Sequence, residues 1–186
     1  MINYIFKMFL TISSLLLSIS VYFIAKGIYI SDLGYPLFNN LNFIPSSIVY
    51  FVIVIVFTKI SLLISNKIDS EQFDEGSFQS VEIANDAFLP SYLGYFFVSL
   101  SAASLSNTSN ETFIFVFCII SVFIFCSRIS YFNPVFLLLG YNFFYMVTNN
   151  NLKVIVITKS KVKKPSNFCS DKMKRINDYT FIDMEL

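Results

Sequence analysis

Residues 112–147 read TFIFVFCIISVFIFCSRISYFNPVFLLLGYNFFYMV, a run that is apolar almost throughout. As one α-helix it would be about 54 Å long at ~1.5 Å per residue. That is too long for one crossing of a hydrocarbon core of about 30 Å and too short for two crossings with a turn. The break is written inside the run. Asn133 suits a helix N-cap, Pro134 the first helical position, and Gly140 a left-handed end. The spacing predicts a span over 112–131, then a short helix over 133–140 laid along the inner membrane surface. Past Gly140 the period changes to that of strands. Phe143 to Thr148, the turn Asn149-Asn150-Asn151, and Leu152 to Lys159 predict a hairpin whose second strand is apolar on both faces at its centre. A lone hairpin is marginal in water, so it needs the membrane surface, another loop or another subunit to pack on. Residues from Ser160 onward are polar and basic and are expected to order only on binding.

Composition agrees with a membrane setting. The chain of 186 residues is 55% hydrophobic and 13% charged, with mean hydropathy +0.67. A soluble domain carries about 25% charge, because its surface must be wetted. His and Trp are absent and Gly numbers five, which removes the commonest general base and metal ligand and disfavours a Gly-rich phosphate loop. Cys118, Cys126 and Cys169 form no zinc pattern and read as small hydrophobes. No catalytic, metal or cofactor constellation is present in the sequence, and an enzyme is not expected.

Three further spans are predicted, over 8–30, 44–64 and 87–105. The first could instead be a signal peptide cut near Ser18-Ile19-Ser20, but the apolar run continues through Ala25. The third contains Pro90 and Gly94 and the small-residue pairs Ser99/Ala103 and Ala102/Ser106, which suit close helix packing. Lys and Arg placement puts both termini and the 65–86 loop in the cytoplasm. The expected fold class is an all-α integral membrane protein with four transmembrane helices, a short interfacial helix and a small cytoplasmic β-hairpin. Its parts are a membrane domain over 1–147, an acidic loop over 65–86, and a hairpin with a basic tail over 141–186.

The net charge of +1 conceals a segregation. Eight of the 13 Lys and Arg lie at or beyond Lys153, and six of the 12 Asp and Glu fall between Asp69 and Asp86. Asp69, Glu71, Asp74, Glu75 and Glu82 read either as a solvated loop or as a docking surface for a basic partner; they lack the spacing of a calcium loop. Lys159, Lys161, Lys163, Lys164, Lys172, Lys174 and Arg175 suit anionic lipid at ~1 kcal/mol per residue. Phe168 is the only aromatic among them, so no nucleic-acid stacking platform is visible and direct nucleic-acid binding is not expected. Ionisable residues avoid the span centres, which disfavours a pore.

Two stretches carry a family resemblance. One is Leu89-Pro90-Ser91-Tyr92-Leu93-Gly94-Tyr95, after the acidic loop. The other is Asn133-Pro134-Val135-Phe136-Leu137-Leu138-Leu139-Gly140-Tyr141, followed by Phe144-Tyr145-Met146-Val147. Together they resemble the membrane subunit of the bacterial Kiwa anti-phage defence system. The resemblance implies a homo-oligomeric, multi-pass inner-membrane protein that senses phage attack and regulates a cytosolic DNA-binding effector. On this reading Pro90, Gly94, Asn133, Pro134, Gly140 and Tyr141 form bendable junctions at the inner interface. An immunity-like or holin-like membrane protein and a channel or transporter subunit are the competing classes.

Overall fold

Helices form wherever the apolar runs are longest, because a backbone without access to water must satisfy its own N–H and C=O groups. The computed structural model describes residues 2–30, 43–68, 70–85, 89–104, 110–126, 133–165 and 168–184. Its helices are α1 (Ile2–Ala25), α2 (Phe43–Ser65), α3 (Leu89–Ser104), α4 (Asn110–Cys126) and the single-turn α5 (Pro134–Leu138). Of these, α1 and α2 are long and apolar enough to cross a membrane, over Tyr4–Ala25 and Ser46–Ser65. Helices α3 and α4 are apolar but shorter, at 16 and 17 residues. α1 is the hub, touching α2, α3 and α4.

These helices bury many hydroxyls and expose many large apolar side chains. Thr11, Ser13, Ser14 and Ser18 of α1, Ser46, Thr58, Ser61 and Ser65 of α2, and Ser99 of α3 are buried. Ile48, Phe51, Val52, Val56 and Leu63 of α2, and Phe115, Val122 and Phe123 of α4, are exposed. Small hydroxyl residues let helices approach closely, and they share the interior with Phe6, Leu10, Leu15, Tyr22 and Val54. An outer surface of this kind needs an apolar cover.

The strands are β1 (Ser70–Phe73), β2 (Phe78–Ile83), β3 (Asn142–Thr148), β4 (Lys153–Thr158), β5 (Ser170–Asn177) and β6 (Thr180–Asp183). They form one sheet in the order β1-β5-β6-β4-β3-β2, antiparallel except for the β4–β6 pair. Strands β1 and β2 therefore occupy opposite edges, although only Asp74 to Ser77 separate them in the chain. A flat six-stranded sheet would place its edges about 24 Å apart. Five Cα steps reach roughly 18 Å at most. The sheet must roll, and Phe73 at the end of β1 accordingly packs against both Phe78 of β2 and Phe181 of β6, each at 5.2 Å between ring centroids. Gly76, at φ +82°, turns the link, and the Asn149 amide side chain donates to its carbonyl at 2.8 Å.

Strand alternation divides the sheet's side chains between two cores. Phe143, Ile155, Ile157, Ile176 and Ile182 pack with Phe6 and Leu10 of α1, Leu62 of α2 and Phe136 of α5. Phe144, Met146, Val154, Val156, Met173 and Phe181 face the other way and pack with Phe78 and Phe168. Sitting in the middle of the sheet, β4 contributes to both cores, so its Val154 to Ile157 run is buried on each face.

The all-α, four-span expectation is thus overturned by a six-stranded mixed sheet alongside the helices. The 65–86 segment carries β1 and β2 and is not a plain loop. The hairpin is the centre of a larger sheet, and the polar tail supplies β5 and β6. The short helix after Asn133 packs between α2 and the sheet, with Val135 and Phe136 fully buried and Leu138 exposed.

Candidate functional site at the helix–sheet junction

Asn133 enters the structure as the N-cap of α5, its Oδ1 accepting from the Val135 amide at 2.9 Å. That contact fixes the orientation of the side-chain amide, so Nδ2 must donate elsewhere. It donates to Ser13 Oγ of α1 at 2.8 Å and lies 3.5 Å from Thr58 Oγ1 of α2. The two hydroxyls are 2.8 Å apart, and Thr58 in turn donates to the Val54 carbonyl at 2.8 Å. A consistent direction follows: Asn133 to Ser13, Ser13 to Thr58, Thr58 to Val54. All three side chains are at most 1% exposed. One step along α1, the Tyr92 hydroxyl of α3 donates to the Ser14 carbonyl at 2.7 Å. A single seam therefore joins α1 and α2 to the turn that leads into the sheet.

The sheet returns the connection. Lys174 of β5 is buried, and its ammonium donates to the Ile68 carbonyl just past α2 and to Ser70 Oγ. Asn85 holds the end of β2 to the start of β3, accepting from the Phe143 amide at 2.8 Å and donating to Asn142 Oδ1 at 3.1 Å. Asp183 of β6 is buried and accepts from Thr158 and Ser170 hydroxyls, each at 2.7 Å. It also acts on Tyr141, whose phenol is pushed up by burial first and by the Asp183 charge second. Lys159 lies 4.8 Å above the Tyr141 ring.

The sequence-predicted site residues are distributed around this junction rather than on two separate surfaces. Asp69 lies outside the described residues. Glu71 on β1 pairs with Arg175 on β5 at 3.4 Å, and Glu82 on β2 stands 4.0 Å from Lys153 on β4. The acidic and basic blocks thus meet within one sheet. Asp74 and Glu75 stay exposed on the β1–β2 link. Pro90 falls in the first turn of α3, and a side chain at Gly94 would meet open space. Gly140 adopts φ +86° after α5, where the Tyr141 amide donates back to Phe136. Lys172 is exposed, and Lys161, Lys163 and Lys164 surround a cavity treated below. All three Cys are free and exposed, and no metal-binding cluster occurs among the described residues.

Ser13, Thr58, Asn85 and Asp183 were not legible as site residues. The one available signal was the three- and four-residue spacing of hydroxyls, Thr11–Ser14–Ser18 and Thr58–Ser61–Ser65, which marks a buried helix face.

Comparison with known proteins produced one result that covers nearly the whole chain: the family model of the anti-phage protein KwaA matches residues 6–182. No curated protein and no solved structure matches.

Proposed function

From the premise that the chain belongs to the KwaA family of anti-phage proteins and so serves defence against phage, we propose that it works as a membrane-anchored sensor. In this reading, α1 and α2 insert in the bacterial inner membrane and the rolled sheet stands at the cytoplasmic face. The exposed apolar side chains of α1 and α2 support insertion, since bilayer lipid is the apolar cover that their outer surface needs. The exposed apolar faces of α3 and α4 suit packing against further copies of the chain, giving a homo-oligomer. The sheet, rather than an acidic loop acting alone, is the part that holds a cytosolic effector.

The Ser13–Thr58–Asn133 seam carries the proposal. A perturbation that slides α1 past α2 must break or rearrange a buried hydrogen-bond chain, and the third member of that chain caps the helix leading into β3. A buried polar network is intolerant of partial satisfaction, which makes it a two-position element rather than a compliant one. Asn133→Leu removes the cap and the Asn133–Ser13 hydrogen bond, leaving the Val135 amide without its acceptor while Ser13 keeps its bond to Thr58, at about 1–3 kcal/mol. The variant is expected in the membrane fraction at near-normal abundance but without phage protection in a plaque assay. Normal protection by a properly inserted Asn133→Leu protein would sink the proposal.

A further inference from the structure

Lys161, Lys163 and Lys164 are not used by the junction. Lys161, Lys163 and Lys164, with Ser160 and Cys169, border a cavity of about 450 Å³ whose apolar side is Phe168. Phe168 is itself buried and packs edge-on against Phe78, so this wall is anchored to the sheet. Among the described residues, no carboxylate lies within salt-bridge distance of these three ammonium groups, whereas Lys153 and Arg175 do find acidic partners. Three lysines bordering one concavity favour an anion there. A polyvalent anion is favoured most, and a phosphate monoester carries close to two charges near neutral pH. Lysine ammonium groups bind phosphate as point charges, without the planar fork that selects carboxylates. The volume falls within the range of about 300–1,000 Å³ typical of small-molecule sites.

Placement decides between a soluble phosphate and a lipid headgroup. Phe168 and Val162 pack on the sheet face that holds Phe144, Met146 and Val156, opposite the face that meets α1 and α2. The sheet therefore lies between the cavity and the helices. We infer that the cavity bordered by Lys161, Lys163 and Lys164 binds a soluble phosphate-bearing ligand of up to mononucleotide size on the face of the sheet turned away from the membrane. The orientation away from the membrane rests on the insertion of α1 and α2 proposed above; the phosphate site itself does not.

The full chain in detergent, carrying Cys118→Ser and Cys126→Ser, keeps Cys169 as its single thiol at the cavity wall. The rate of maleimide labelling of Cys169 is measured against AMP, inorganic phosphate and, separately, phosphatidylglycerol vesicles. Soluble anions are expected to slow labelling saturably. Tighter protection by AMP than by inorganic phosphate assigns a nucleotide, and equal protection assigns the phosphate group alone. Combining Lys161→Gln, Lys163→Gln and Lys164→Gln should raise the midpoint roughly tenfold or more, as expected when charged hydrogen bonds are lost. Lys172→Gln, outside the cavity, should leave it unchanged, and thermal unfolding should be alike in all variants because these lysines are exposed. Absence of protection by either soluble anion, equal protection in the triple variant, or protection by vesicles alone overturns the inference.

Discussion

The helices and the sheet of this protein differ in what they leave exposed. In α1 and α2, Ser and Thr share the interior with Phe6, Leu10, Leu15, Tyr22, Val54 and Leu62 while Ile48, Phe51, Val52 and Leu63 face outward; in the sheet Phe, Met, Ile and Val are interior and Lys153, Lys172, Arg175 and Glu82 lie outside. In the membrane placement proposed above, lipid supplies no hydrophobic drive between helices, so close approach and hydrogen bonds hold them. Water drives apolar strands together and wets the charges left at the surface. On that placement, one hydropathy scale reads this chain only after its two solvents are separated.

The comparison is broken most forcefully by removing a phenyl ring from each region. Phe143 is fully buried in the core between sheet and helices, and Phe143→Ala should cost about 3–5 kcal/mol. Phe123 is 70% exposed on α4, and Phe123→Ala should change stability by no more than about 0.5 kcal/mol in detergent. Thermal unfolding of the two variants measures the difference, and equal losses would mean that α4 is covered by protein.

A smaller effect sharpens the account of the sheet's charged surface. Glu71 and Arg175 are about half exposed and 3.4 Å apart. After solvent screening, their coupling in a double-mutant cycle of Glu71→Gln and Arg175→Gln should be about 0.2–1 kcal/mol and should shrink with added salt. A coupling of several kcal/mol, insensitive to salt, would show that the β1 edge is buried in the assembled protein.

The smallest effect at neutral pH belongs to Tyr141. Its phenol ionises above its ordinary value of 10.0 in the folded chain, chiefly through burial and then through Asp183. Between the unfolded and folded values, the unfolded chain has lost a proton that the folded chain retains, so rising pH favours unfolding. The contribution is complete below pH 10 and is lost as pH climbs through the folded value. Tyr141→Phe should therefore leave stability at pH 7 nearly unchanged and flatten the alkaline decline of the denaturation midpoint. An unchanged alkaline limb in Tyr141→Phe would assign that decline to other groups.

Legibility in the sequence followed the range of the interaction that decides each element. The apolar runs of α1 and α2 are visible because hydropathy is a property of adjacent residues. The Asn133-Pro134 start and Gly140 end of the short helix are visible because capping acts within one turn. Strands β3 and β4 carry apolar residues that alternate or run continuously. Strand β1, Ser70-Glu71-Gln72-Phe73, and strand β5, with Asp171, Lys172, Lys174 and Arg175, carry no such pattern. They are strands because they pair with each other, Ser70 opposite Lys174, about a hundred residues apart in the chain.

The site divides in the same way. Asn133 could be singled out from its neighbours, but not its reach to Ser13 and Thr58, which belong to other helices. The charge blocks could be counted, but not their mutual pairing within the sheet. By itself, the sequence determined which segments avoid water, where the backbone must turn, and that acid and base are segregated along the chain. Only the tertiary structure decided which strands meet, which hydroxyls share a hydrogen-bond chain and which lysines remain without a carboxylate partner. The physical reason is that capping and hydropathy act over a few residues, whereas pairing is chosen by the whole packed chain.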